Sequence, residues 1–245
     1  MKKLFLSLAL FIIVSGIIYA QSFKIPLIGS KAPSFTASST NGEITFPNDY
    51  GKSWKVLFSH PRDFTPVCSS ELLELAYSQN EFDKLEIKIA VVSTDLLSQH
   101  KMWKAQLEEL DYKNRGPQKI NFPLIDDSGY YISKLYGMLH EPTSTTEDVR
   151  GVFIIDPKNT IRSINFYPMS VGRNIEEIKR IVLALQTTDK SNVLTPADWN
   201  YGDDVMIPYF PRSGDQLTET KLSQDQYYNV GNRMWFKKVE NLSYK

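Results

Sequence analysis

Apolar runs of strand length alternate along this chain with stretches of helical spacing. Lys55-Val56-Leu57-Phe58 reads as a buried strand, and Ser69 to Leu85 then carries Leu72, Leu73, Ala76, Phe82 and Leu85 close to the helical period. Ile87 to Ser93 is a second strand, followed by a helical stretch from Leu97 to Leu110 and a turn-bounded strand from Phe122 to Ile125. Asp126-Asp127-Ser128-Gly129 is a turn that can also cap a short helix running to Leu139. Val152 to Ile155 runs into the turn Asp156-Pro157-Lys158-Asn159, Ile161 to Tyr167 returns as its hairpin partner, and Asn174 to Leu185 is an amphipathic helix. This alternation predicts an α/β layer fold with a mixed central sheet flanked by helices.

After Thr188 the pattern weakens. Prolines at 196, 208 and 211 and glycines at 202 and 214 interrupt it, and only Arg233-Met234-Trp235-Phe236 reads as strand. Residues 189–245 are therefore expected to form a small C-terminal extension, leaning on a main domain over 21–188. At the other end, Met1-Lys2-Lys3 precedes an apolar stretch from Leu4 to Ile18 and then Tyr19-Ala20-Gln21, the pattern of a signal peptide cleaved after Ala20. The alternative is an uncleaved anchor, against which stands an apolar run shorter than the roughly 20 residues a spanning helix needs. Export to a bacterial periplasm is the expectation. Without Lys2 and Lys3 the chain carries 26 basic against 28 acidic residues, a net charge of -2 with no basic cluster. Nucleic acid is not an expected partner.

The chain has one cysteine, Cys68, at the start of the predicted helix. An isolated cysteine is commonly a small buried hydrophobe. Here the unpaired N–H groups and positive dipole end of a first helical turn favour thiolate, and a single thiol in an exported protein has no intramolecular disulfide partner. Two prolines, a threonine, a histidine and an arginine crowd the residues just before it, which a core cysteine does not require.

The run His60-Pro61-Arg62-Asp63-Phe64-Thr65-Pro66-Val67-Cys68 resembles the signature of the peroxiredoxins, in which a proline, a threonine and the cysteine are spaced as Pro61, Thr65 and Cys68 are here. The resemblance runs from about Pro26 to the C-terminus and takes in Val149-Arg150-Gly151-Val152 and Gly172-Arg173-Asn174. Pro196-Ala197-Asp198-Trp199 resembles the start of the C-terminal domain of the one-cysteine subfamily. The resemblance implies a thioredoxin-like fold and thiol peroxidase activity. It makes Cys68 the nucleophile, places Thr65 against peroxide and sulfur, Arg150 beside the sulfur, and Pro61 as a shield against water. Thr65 can also be read as a helix cap, Arg150 as half of a surface ion pair, and Pro61 as a strand terminator.

Glu71 is placed to hold Arg150 or Arg173, although an exposed first-turn glutamate is equally ordinary. His60 is read as pocket lining. With His100 and His140 it makes three scattered histidines without ligand spacing, so neither a metal nor another cofactor is expected. With no second cysteine to resolve a sulfenic acid, an external thiol or dithiol protein must complete the cycle. A homodimer is expected, with Trp199, Tyr201, Tyr209, Phe210, Trp235 and Phe236 either as its contacts or packed on their own core. Some relatives carry a lipase-like serine in Gly-x-Ser-x-Gly; the stretch here is Gly51-Lys52-Ser53-Trp54-Lys55, so no nucleophile is expected at Ser53. A dithiol oxidoreductase is excluded by Thr65 in place of a second cysteine. A binding or chaperone protein is the competing class.

Overall fold

The computed structural model describes residues 25–208, 226–231 and 234–239. The leader reading at 1–20 lies outside them, as do Tyr209, Phe210 and Arg233. Among the described residues no helix is long and apolar enough to cross a membrane.

The chain builds one seven-stranded sheet in the order β2-β1-β5-β4-β3-β6-β7. Its strands are β1 (Phe35–Ser39), β2 (Gly42–Phe46), β3 (Trp54–Ser59), β4 (Ile87–Ser93), β5 (Leu124–Asp126), β6 (Arg150–Ile155) and β7 (Ile161–Tyr167). β3, β4 and β5 run parallel, joined by α1 (Pro66–Lys84) and α2 (Leu97–Leu107); the other pairings are antiparallel. The sheet is mixed, as the sequence pattern predicts.

The central strands are buried on both faces, and the two-residue period sorts their side chains into two cores. Val56 and Phe58 of β3, Ile89 and Val91 of β4, and Val152 and Ile154 of β6 point to the side covered by α1, α2 and α4 (Ile175–Ser191). Leu57, Ala90, Val92, Phe153 and Ile155 point to the other side, where α3 (Tyr131–Tyr136) and the β1–β2 hairpin pack through Ile132, Tyr136, Phe35 and Phe46. The helix starts follow their caps. Pro66 opens α1, where its missing N–H costs nothing, and Asn174 Oδ1 accepts from Glu177 N at 3.2 Å to start α4. Asp127 accepts from the N–H groups of Ile132 and Ser133 at 2.8 and 2.6 Å, which makes the predicted Asp126–Gly129 turn the cap of α3.

The hairpin β1–β2 is an addition to the sequence reading. Its strands alternate small polar residues with few large apolar ones, and the chain reverses over Thr40 and Asn41 into Gly42, which holds φ +102. Helix α2 stops at Leu107, short of the predicted Leu110, where the i→i−4 ladder gives way to tighter i→i−3 bonds from Glu109 N–H to the Gln106 carbonyl and from Leu110 N–H to the Leu107 carbonyl, at 3.3 and 3.1 Å.

Beyond α4 a three-stranded sheet, β8 (Val205–Met206), β10 (Met234–Lys237) and β9 (Tyr227–Val230) in that order, forms the extension. Val193, Trp199 and Val205 are buried there against Leu183 and Ala184 of α4. Trp199 is therefore not an exposed contact aromatic. It is 1 % accessible, its indole donates to the Asp203 carbonyl at 3.0 Å, and its own carbonyl accepts from Arg180 at 2.8 Å. Tyr201 is exposed, and Trp235 and Phe236 are half-buried.

Candidate active site

Strand β3 ends at Ser59, the loop 60–65 turns outward, and α1 brings Cys68 back as its third residue. The sulfur is fully buried and belongs to the core on the α1 side of the sheet. Burial by itself fits an inert cysteine equally well. What separates the two readings is the neighbour: Arg150 Nη1 lies 3.2 Å from Cys68 Sγ.

Arg150 opens β6 on the strand next to β3 and is itself buried, so the surface ion-pair reading does not describe it. Its Nε and Nη2 donate to the Met169 carbonyl at 2.9 and 2.6 Å, and its Nη1 donates to Glu71 Oε2 at 2.7 Å. Glu71, one turn past Cys68 on α1, is 2 % accessible rather than exposed. It also takes Arg173, whose Nη2 donates to Oε2 at 2.7 Å while Nε and the backbone N–H donate to Oε1 at 2.9 and 2.8 Å. Arg173 Nη1 also donates to the carbonyls of Ser59 and Gly151, and its guanidinium lies 3.2 Å from the centroid of the Phe58 ring.

The charges in this knot decide what it can do. Burial pushes the Glu71 carboxyl up, but the Arg173 hydrogen bonds and the charges of both arginines outweigh it and hold the group below the usual carboxylate range. Two guanidiniums against one carboxylate leave a net positive charge in the core. A thiolate at Cys68 brings the four groups to zero, whereas a thiol leaves the positive charge uncompensated.

Thr65 occupies the cap position of α1 in extended conformation, yet its hydroxyl makes no capping bond and donates instead to the Arg62 carbonyl at 2.9 Å. The cap reading therefore holds for its backbone only. Pro61 is buried in the loop just after β3. Ser59 ties the loop to β6: its hydroxyl donates to the Val149 carbonyl at 2.7 Å and accepts the Gly151 N–H at 2.8 Å.

Two of the three histidines are brought together. His60 Nε2 and His100 Nδ1 bind the two oxygens of Asp63 at 2.8 and 2.7 Å, and all three side chains are buried. His60 thus lines the loop in a hydrogen-bonded relay, while His140 lies elsewhere, against the Phe166 ring. A ring nitrogen of His60 and carboxylate oxygens of Asp63 and Asp95 fall within 4.8 Å of one another, but Asp63 is taken by the two histidines and Asp95 by Ser93 Oγ and the Asp63 N–H. The sequence reading did not single out Asp63 or His100. A signal existed, since His100, Trp103 and Leu107 share one helical face, and all three are buried.

At the Gly51–Lys55 stretch, Lys55 is buried and its ammonium donates to the Gly51 carbonyl and to Asn159 Oδ1, both at 2.7 Å. That segment is a structural tie.

Residues 28–164 match the AhpC/TSA family, and residues 184–210 match the C-terminal domain of 1-Cys peroxiredoxin. A peroxiredoxin of Methanosarcina mazei is 46 % identical over 202 residues, covering 82 % of this chain and 91 % of that protein. Among solved structures, the yeast mitochondrial 1-Cys peroxiredoxin superposes with a TM-score of 0.74 at 37 % identity, covering 87 % of this chain and 100 % of that one. A cysteine-to-serine mutant of peroxiredoxin 6 of Arenicola marina gives 0.73 at 31 % identity, covering 87 % and 98 %. The mixed sheet with its flanking helices is the thioredoxin-like fold of these proteins. With its single cysteine held against a buried arginine, the chain belongs to the peroxiredoxin family of thiol peroxidases, in the one-cysteine branch that carries a C-terminal extension.

Proposed function

We propose that the protein reduces hydrogen peroxide and organic hydroperoxides through Cys68. The sulfur anion attacks one peroxide oxygen, the O–O bond breaks, and the second oxygen leaves as hydroxide or alkoxide and takes a proton from water, giving a cysteine sulfenic acid. Arg150 stabilises the charge on sulfur and on the departing oxygen. Thr65 turns its hydroxyl from the Arg62 carbonyl to the peroxide, and Pro61 keeps bulk water off the sulfur. Glu71 and Arg173 hold Arg150 in place. The observation that carries this reading is the 3.2 Å contact between Arg150 Nη1 and Cys68 Sγ inside a core whose charges balance with a thiolate.

Reduction of the sulfenic acid takes two electrons from outside the chain: one external thiol forms a mixed disulfide with Cys68 and releases water, and a second releases Cys68. The work on the yeast mitochondrial relative concerns resolution through glutathione and thioredoxin systems, which makes a small thiol or a dithiol protein the reductant class to supply here. The leader pattern at 1–20 supports action in a bacterial periplasm, and exposed Tyr228, Val230 and Met234 on the extension suit a contact with a second copy.

Mass spectrometry of Cys68 after a brief pulse of stoichiometric peroxide tests the chemistry. A gain of one oxygen, trapped by a sulfenic-acid reagent and abolished by Cys68→Ser, supports it; a thiol unchanged by peroxide returns the chain to the binding or chaperone class. Periplasmic fractionation with mass measurement of the mature N-terminus tests export, and sedimentation tests the dimer.

A further inference from the structure

Asp63 is the anchor of the loop between β3 and α1. Its N–H donates to Asp95 Oδ2 at 2.9 Å, and its two carboxylate oxygens take His60 Nε2 and His100 Nδ1. The remaining nitrogen of His100, Nε2, faces the Ile125 carbonyl oxygen at 3.1 Å. A carbonyl can only accept, and so can an ionised carboxylate. Burial pushes the Asp63 carboxyl up, but the hydrogen bonds from His100 and His60 outweigh it and hold the group below its ordinary value. Both nitrogens of His100 therefore have to donate, which makes the ring an imidazolium paired with a buried carboxylate. Asp126, at the head of α2 where it accepts the Leu97 N–H at 2.9 Å, is a further acidic group acting on His100. His60 is constrained in turn. Its Nε2 donates to Asp63, and its Nδ1 is buried without a hydrogen-bond partner among the described residues.

The loop needs such an anchor. Phe64, next to Asp63, sits at φ 59 in the left-handed region, costly for a side chain of that size, and is 45 % exposed. Trp103, one turn beyond His100 on α2, sets its ring 5.1 Å from that of His60 and donates to Ser69 Oγ at 3.3 Å, immediately after Cys68. One face of α2 thus holds both the loop and the start of the catalytic helix.

We propose that His100 and Asp63 are positioning residues for the Cys68 reaction: their buried imidazolium–carboxylate pair pins the Pro61–Thr65 loop beside the sulfur and keeps His60 in a single tautomer. The inference rests on the peroxidase reading above for its role in turnover, but the pair itself is read from geometry and is tested separately.

The full chain labelled with 15N-histidine is examined by NMR at mildly alkaline pH, and the reduced protein is mixed in stopped flow with hydrogen peroxide or, in parallel, with iodoacetamide, which needs the thiolate but no oriented peroxide. The expected spectrum shows both nitrogens of His100 protonated and His60 protonated at Nε2. His100→Phe slows the peroxide reaction by about tenfold or more, as small misplacements of reacting groups do, and leaves alkylation little changed. His100→Gln, which restores one amide donor toward Asp63, recovers part of the loss. Should His100→Phe fail to fold, Asp63→Asn gives the same split and removes one proton from His100. A His100 ring with one bare nitrogen overturns the proposal, as does an equal loss in both reactions. A wild-type thiol inert to peroxide, in a sample whose His100 is doubly protonated, sinks the peroxidase reading and the role in turnover together, leaving the pair as a structural tie.

Discussion

Arg150 Nη1 stands 3.2 Å from Cys68 Sγ and 2.7 Å from Glu71 Oε2, so a single guanidinium nitrogen joins the sulfur to the carboxylate that neutralises it. The other two nitrogens are committed to the Met169 carbonyl. Lysine offers one point charge and cannot span these three partners. Arg150→Met is expected to slow the reaction with hydrogen peroxide by about 10²–10³-fold, the cost of losing one preorganised donor at a developing anion. Stopped-flow fluorescence checks it, with Arg150→Lys falling between. A wild-type rate in Arg150→Met would remove Arg150 from the mechanism.

Glu71→Gln removes the carboxylate that bridges Arg150 and Arg173 in the core, a loss on the order of 3–5 kcal/mol for a broken buried pair. The pH dependence carries a definite sign. The carboxyl is held below its ordinary 4.5, so the stabilisation is present above that value and disappears as pH falls beneath it. Urea titrations should find the variant weaker at neutral pH and flatter than wild type in acid.

Asp148 behaves in the opposite sense. It is fully buried, neither carboxyl oxygen has a hydrogen-bond partner among the described residues, and the nearby Ser133 hydroxyl is given to Asp127 at 2.5 Å. Burial first, and the Asp127 charge after it, push Asp148 well above its ordinary 3.8. The folded state then binds the proton more tightly than the unfolded chain, so stability falls as pH rises past 3.8 toward the folded value. Asp148→Asn keeps the shape and removes the titration. Thermal melts at neutral pH should show it more stable than wild type, with the difference vanishing in strong acid.

Gly151 follows Arg150 and has no room for a methyl group. A Cβ there meets Ser59 Oγ at 2.9 Å, Phe166 at 3.1 Å and Phe153 at 3.3 Å. The Ser59 hydroxyl cannot yield without breaking its bonds to Val149 and Gly151. Gly151→Ala is expected to cost about 1–3 kcal/mol of stability, as overpacking does, and to slow the peroxide reaction by moving Arg150. Chemical denaturation and stopped flow on the same preparation test both halves; unchanged stability would contradict the packing argument.

Most of the main sheet was legible because its central strands are apolar on both faces and its helices carry a regular period. The β1–β2 hairpin was not, since half of its positions are serine, threonine or alanine and only the Asn41-Gly42 turn marks it. At the site, Cys68, Thr65 and Pro61 lie in one motif, and spacing alone placed the cysteine in the first turn of a helix. The sequence leaves Trp199 open between a dimer contact and an internal core, because aromatic composition does not say whether a tail folds back on its neighbour. His100 reads as a stray histidine in the sequence because nothing local joins it to Asp63, 37 residues away.

The sequence by itself determined the layer architecture and a single thiol at a helix start with no second cysteine to pair it. These depend on local periodicity, on the electrostatics of one helical turn, and on a count of cysteines. Only the tertiary structure decided the charge on the site. Arg150 reaches Cys68 across 82 residues and Arg173 reaches Glu71 across 102, through strand and loop positions that sheet pairing brings together. Coulomb attraction depends on distance and burial, and a linear chain specifies neither until it has folded.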